Sequence, residues 1–263
     1  MFVDSHCHLN YPEFAPQMDQ IRLDMKAALV DRALIISTKL ETFDSVQTLA
    51  QKYDNFWCTL GVHPDEDDVQ EPTLEDLRDR VHRGKVVGIG ETGLDYYRLN
   101  GRSVEDMEWQ RERFRLHIRF AQESRLPLII HTREASKDTI QILREEGEDG
   151  STQSVGGVFH CFTESMEVAK AALDLGFYIS FSGIVTFKNA KEIKEVAKWV
   201  PLERMLIETD SPYLAPTPHR GKTNNPSFVP FVAQEIAQLK SITVEEVAAK
   251  TTANFENLFQ KAR

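Results

Sequence analysis

A (β/α)8 barrel is the fold that this sequence predicts, and two observations predict it. Short β-rich apolar runs recur roughly every thirty residues, each followed by a helical pattern, and eight such units account for most of the 263 residues. Histidines and acids also stand at the C-terminal ends of those runs, the rim on which barrels of this kind carry their chemistry. A doubly wound open sheet is the alternative, because periodicity does not by itself show closure.

The first run, residues 2–6, leads into His-x-His. Side chains alternate along a strand, so Asp4, His6 and His8 are expected on one face and Ser5 and Cys7 on the other. Two imidazoles at i and i+2 can grip one metal ion from the same side. A helical pattern over 17–30 leads to the second strand at 33–37 (ALIIS), and one over 42–52 leads to the third at 56–62 (FWCTLGV). Residues 74–81 read as a helix capped by Thr73 after Pro72, ahead of the fourth strand at 85–90 (KVVGIG). The longest helix, 104–124, precedes the fifth strand at 127–131 (PLIIH). A helix over 134–146 and a polar Gly/Ser-rich connection at 147–157 lead to the sixth strand at 157–160 (GVFH). Helix 164–175 passes through Gly176 to the seventh strand at 177–182, and helix 188–199 leads to the eighth at 204–208 (RMLIE). Two terminal helices follow at 226–239 and 244–260, the second opened by Thr243 and Glu246 at capping-box spacing. No repeat, low-complexity tract or linker interrupts the series, so one domain over 1–263 is expected.

Composition excludes several classes. At 41% hydrophobic and 27% charged residues, the chain has the make-up of an ordinary water-soluble protein. No apolar run approaches the roughly 18–20 residues that span a bilayer, and no basic, apolar leader opens the chain. Three cysteines without paired spacing fit a reducing cytosol, and a cytoplasmic monomer is expected. The 31 basic against 41 acidic residues leave a formal charge of −10, which excludes bulk attraction to nucleic acid. Any polyanionic substrate must be held by local basic groups and metal. The acidic stretch 65–68 reads as a solvated loop.

The polar residues then converge. His6 and His8 end strand one, His63 follows strand three, Glu91 ends strand four, and His131, His160 and Asp210 end strands five, six and eight. His219 lies in the loop after strand eight, and only His82 and His117 fall in helical stretches. Imidazole nitrogen and carboxylate oxygen without thiolate suit zinc, manganese, iron or a magnesium-like ion in an open catalytic site. Cys7 and Cys161 adjoin candidate ligands, but alternation points them outward, so both read as buried fillers, as does Cys58. Asp4 and Glu208 share faces with ligand candidates and read as supporting acids or parts of an internal ion pair.

The motifs VDSHCHL, GVHP, GETGLDYY, IIHTRE, GVFHCFT, GFYISFSGIVTFKNA, ETDSPYLAP and PHRGKTNNP resemble the TatD family of metal-dependent hydrolases over essentially the whole chain. The resemblance implies a TIM barrel with two divalent metals, Mg, Mn or Zn. It implies His6, His8 and Asp210 on one metal, His131 and His160 on the other, and Glu91 bridging them. A hydroxide held between two such metals would attack phosphorus in line, with Asp210 orienting it or taking its proton. His63 would bind a phosphoryl oxygen or protonate the leaving oxygen, and Arg133, Arg220 and Lys222 are candidates for phosphate contacts. Thr223 and Asn225 stand where many relatives have Arg and Glu, which bears on substrate contacts from that loop. The implied activity is that of a deoxyribonuclease trimming 3′ ends of single-stranded or frayed DNA. A D-aminoacyl-tRNA deacylase-type ester hydrolase and a metal-binding protein without turnover are the alternatives.

Overall fold

Each apolar run pairs in parallel with the next, because a strand followed by a helix on the outer face returns to the sheet beside its predecessor in the same direction. In the computed structural model, which describes residues 1–262, the strands are β1 (Phe2–Cys7), β2 (Val30–Ile35), β3 (Phe56–Leu60), β4 (Val86–Asp95), β5 (Leu128–Arg133), β6 (Gly157–Phe159), β7 (Tyr178–Phe181) and β8 (Met205–Ile207). They form one sheet in the order β1 to β8. β8 meets β1 through a parallel bridge between Cys7 and Ser211, with Asp210 N–H donating to His6 O at 2.9 Å and His8 N–H to Ser211 O at 2.8 Å. That contact makes the sheet a nearly closed (β/α)8 barrel.

The helices are α1 (Met18–Ala27), α2 (Phe43–Lys52), α3 (Leu74–Val81), α4 (Glu108–Ser124), α5 (Ser136–Glu145), α6 (Met166–Asp174), α7 (Lys191–Trp199), α8 (Val229–Lys240) and α9 (Val244–Leu258). Capping boxes at Thr73–Asp76 and Thr243–Glu246 begin α3 and α9. Departures from the expected bounds have local causes. α1 stops at Ala27 because Leu29 turns left-handed (φ 59°), which lets β2 begin at Val30. Residues 105–107 and 226–228 are 3-10 turns ahead of α4 and α8. β4 runs five residues past the expected Gly90, to Asp95, while β6 and β8 are three residues each, so His160 and Asp210 project beyond their strands.

Two apolar layers follow from strand alternation. Ala33, Ile35, Leu128 and Ile130 pack outward with the helices, while Val3, Leu34, Val87, Ile129, Val158 and Leu206 cluster separately with Phe255 and Phe259 of the C-terminal segment. Strict alternation fails on β1, where the register shifts between Asp4 and Cys7. Ser5, expected opposite His6, hydrogen-bonds Ser180 Oγ at 3.1 Å and donates to Ile207 O at 3.0 Å. Gly93 is required between β4 and β5: its φ is +135°, and a Cβ there would lie 1.9 Å from His131 O. Without that close approach, Glu91 and Asp95 would not stand beside His131.

α4 carries a polar stripe into the core. His117, fully buried, accepts Val62 N–H on Nε2 at 3.1 Å and donates from Nδ1 to Arg113 O at 2.8 Å, which fixes the end of β3. Burial lowers its pKa to about 4. The folded protein therefore keeps His117 neutral at pH values where the unfolded chain, near 6.5, takes up a proton. Stability from this group is complete above pH 6.5 and is lost as pH falls towards 4, by about 3 kcal/mol in all. His117→Gln should lower stability at pH 7 but flatten that decline. Urea unfolding of both proteins between pH 7 and 4, with chelator present, checks this; parallel slopes would refute it.

Candidate metal centre

Glu91 is the residue around which the rim is arranged. It is 2% exposed, and its two carboxylate oxygens face different groups of imidazoles. Oε2 lies 3.3 Å from His6 Nε2 and 4.0 Å from His8 Nε2, while Asp210 Oδ1 is 3.6 and 3.4 Å from the same two nitrogens. Oε1 lies 2.6 Å from His160 Nε2, 3.2 Å from His131 Nδ1 and 3.4 Å from His63 Nε2. One donor set is thus His6, His8 and Asp210, the other His131, His160 and His63, with one oxygen of Glu91 toward each.

Hydrogen bonds on the far sides of the rings decide what the near sides can do. His131 Nε2 faces Asp95 Oδ2 at 3.0 Å, and His160 Nδ1 faces Glu208 Oε1 at 3.3 Å. Each acid draws the ring proton to itself and leaves the nitrogen near Glu91 with a free lone pair. His63 is the reverse case. Its Nδ1 accepts Asp65 N–H at 3.0 Å, so in the neutral ring the proton sits on Nε2, the atom facing Glu91. His63 is therefore presented as a proton donor, although distance alone would admit it as a ligand.

These residues fit a divalent cation. Both ring nitrogens of His6 and Nδ1 of His8 are buried without a hydrogen-bond partner, even though His6 Nε2 is close to two carboxylates. Such an arrangement suits an ion shared among the donors better than hydrogen bonding between them. Five acids (Asp4, Glu91, Asp95, Glu208 and Asp210) cluster here with five histidines. Burial would raise the Glu91 pKa, but His160, His63 and His6 hold it well below the usual carboxylate range; desolvation would likewise raise that of half-buried Asp210, but His8, His6 and His160 lower it. Burial would lower His160, but Glu91 and Glu208 raise it well above its ordinary value.

The surrounding loops are pinned from below. Gln110 of α4 donates to Pro64 O and Asp95 O and accepts Asp95 N–H, and Arg113 donates to His63 O and Glu66 O while pairing with Glu71. Asp4 accepts from Thr209 N–H and Oγ1 and from His6 N–H, so it ties β1 to the segment carrying Asp210 and touches no imidazole. The acidic stretch is less free than its composition suggests: Asp65 pairs with Arg98, Asp67 with Arg102 and Glu66 with Lys39.

A cavity of about 880 Å³ opens over Glu91. His63, His131, His160, Asp210 and Arg133 line it, as does Arg98, which the sequence reading did not single out. Asp95 was also missed, although it lies four residues from Glu91 in GETGLD and so shares its strand face. Arg220 and Lys222 are exposed outside the cavity lining, with the Arg220 guanidinium 3.5 Å over Phe187. Thr223 is exposed as well, and Asn225 caps the 3-10 turn before α8 by accepting Ser227 N–H. Cys7 donates to Leu34 O and packs outward, and Cys58 is buried among the outer core. Cys161 departs from its expected role as a buried filler: β6 ends at Phe159, Cys161 takes φ 41°, and it is half-buried in the cavity wall.

The family model described as TatD related DNase matches residues 3–260. The Escherichia coli K12 protein YcfH, described as an uncharacterized metal-dependent hydrolase, is 46% identical over 98% of this chain and 95% of its own length. The Bacillus subtilis protein YabD, described likewise, is 43% identical over 99% of each chain. The solved structure of the Escherichia coli TatD homologue YJJV superposes with a TM-score of 0.89 at 27% identity, covering 98% of both chains.

Because Asp95 orients His131 without being a ligand candidate, Asp95→Ala should weaken binding of Mn²⁺ about 10- to 100-fold while far-UV circular dichroism is unchanged. Titration calorimetry measures the affinity, and an unaltered dissociation constant would remove Asp95 from the centre.

Proposed function

The chain belongs to the TatD-related DNase family of metal-dependent hydrolases, and from that premise we propose that it is a deoxyribonuclease removing nucleotides from the 3′ ends of single-stranded or frayed DNA. The observation that carries the reading is the division of Glu91 between two donor sets at the floor of one cavity. His6, His8 and Asp210 would hold one divalent ion and His131 and His160 a second, with Glu91 between them. Two ions bound there, Mg, Mn or Zn, would polarise a phosphoryl oxygen and make water nucleophilic near neutral pH.

The chain's own groups supply the rest. Asp210, an ionised carboxylate beside His6 and His8, orients the attacking water and can accept its proton. With Nδ1 accepting Asp65 N–H, the neutral His63 ring carries its proton on Nε2, which faces Glu91 Oε1 and His131 Nδ1, each at 3.4 Å, on the cavity floor; from there it can be delivered to the leaving oxygen or donated to a phosphoryl oxygen. Arg98 and Arg133 in the wall can meet phosphates; Arg220 and Lys222, outside it, can meet only phosphates away from the cleaved bond. A recessed site in a protein of charge −10 favours a flexible strand end over the middle of a stiff duplex.

His63→Ala should lower turnover about 10²–10⁴-fold with metal content unchanged, since a general acid contributes on that scale. Full activity in a metal-replete variant would return His63 to a structural role. Glu91→Gln should abolish turnover in a folded protein, because an amide leaves the two donor sets without a shared anion. A time course on end-labelled oligonucleotides with free and blocked 3′ ends, beside aminoacyl-tRNA, tests the substrate class. Metal-dependent loss of nucleotides from free ends only, with shallow salt dependence, is expected. Efficient cutting of closed circular duplex, or faster cleavage of the aminoacyl ester, would sink the proposal.

A further inference from the structure

The cavity has two unlike walls. Arg98 and Arg133 stand on the β4 and β5 side, whereas Tyr11 and Tyr213 stand beside His8 and Asp210 on the β1 and β8 side. In a ring ordered β1 to β8, β4 and β8 lie across from one another, so the cationic and aromatic walls face each other over Glu91. Tyr213 is 54% exposed, yet it is held firmly. Its N–H donates to Asp210 O at 3.0 Å, and its carbonyl accepts from Nδ2 of the fully buried Asn224 at 2.7 Å. The same Asn224 nitrogen also reaches Thr209 O at 2.8 Å. Tyr11 meets the Tyr213 ring edge-on, at 6.4 Å and 76°, and is itself stacked over His8 at 5.2 Å.

A tyrosine with a clamped backbone, its ring met edge-on by Tyr11 and more than half exposed, three residues from Asp210, is built to receive another flat ring. Tyr97 is equally exposed but does not line the cavity, and one face of its ring is already covered by the Arg133 guanidinium at 3.6 Å. A nucleotide supplies what the two walls ask for: an aromatic base on one side and phosphate on the other, joined through a sugar. We propose that Tyr213 is the stacking platform for the nucleobase at the cleaved end of the strand. This inference rests on the nuclease reading above and adds to it a recognition element. Every base has a π-face, so the platform senses that a base is present and is tolerant of which base it is.

The test uses the metal-loaded, full-length protein and two 5′-labelled single strands that differ only at the 3′ terminus, one with an ordinary nucleotide and one with an abasic tetrahydrofuran residue. The wild type should remove the ordinary terminus with a kcat/KM about tenfold or more above that for the abasic one. Tyr213→Ala should lose that advantage on the ordinary strand and treat both alike, and Tyr213→Phe should retain it. A 3′-terminal 2-aminopurine should be quenched on binding to the wild type and to Tyr213→Phe, and not on binding to Tyr213→Ala. Equal rates on the two strands in the wild type, or undiminished discrimination in Tyr213→Ala, overturn the platform while leaving the nuclease reading intact. Absence of cleavage of either strand with Mg, Mn and Zn overturns both.

Discussion

A carboxylate buried at the bottom of a cavity, with cations or their surrogates required on both of its oxygens, is the constraint from which the rest of this structure follows. Glu91 is almost fully enclosed. An isolated ionised carboxylate in such a place would be neutralised rather than tolerated. Here it remains ionised because imidazoles from β1, β3, β5 and β6 converge on it, which is possible only if those strand ends share one rim. Barrel closure is therefore a condition of the site's electrostatics as well as of the fold. The bridge from Cys7 to Ser211 brings Asp210 to His6 and His8, and an open sheet would leave them on opposite edges.

The imidazoles are differentiated by what stands behind them. Chemically the side chains are identical, and nothing in their positions along the chain tells a ligand from an acid. Asp95 and Glu208 accept from the outer nitrogens of His131 and His160, whereas a backbone N–H donates to the outer nitrogen of His63. One kind of partner frees a lone pair toward Glu91 and the other presents a proton. These partners are themselves held in place: Gln110 grips both the Asp95 backbone and the loop after His63, and Arg113 grips that loop at two carbonyls. The polar stripe of α4 thus supports both Asp95 and the loop that carries His63.

The surface charge and the cavity work in opposite senses. A net charge of −10 repels phosphate at long range, so any anionic substrate is accepted only where local cations outweigh the background. Much of the basic side-chain inventory is already committed, with Lys39, Arg98 and Arg102 paired to the acids of the 65–68 stretch. Those pairs are reached by solvent, where an ion pair is individually weak. Arg98 is held to Asp65 by such a pair, whereas the loop itself is anchored by buried Arg113.

The sequence by itself determined the element series and the family resemblance, and it predicted the barrel, whose closure only the contact between Cys7 and Ser211 decided. Apolar runs alternating with amphipathic stretches build a parallel sheet flanked by helices, and once that sheet closes, histidines and acids at the ends of the runs meet on one rim. The convergence of His6, His8, Glu91, His131, His160 and Asp210 was legible for that reason, because each falls at or just past the end of an apolar run. What lay out of reach depended on contacts between segments distant in the chain. The supporting roles of Asp95, Gln110 and Arg113, the entry of Arg98 into the cavity and the exit of Arg220 and Lys222 from it are set by loop paths that no period encodes. The alternation argument for Cys161 failed where β6 ended early and the backbone turned left-handed. Tertiary structure alone decided which nitrogen of each histidine faces the cavity, since a ring's proton follows its hydrogen-bond partner, and that partner comes from another strand, helix or loop.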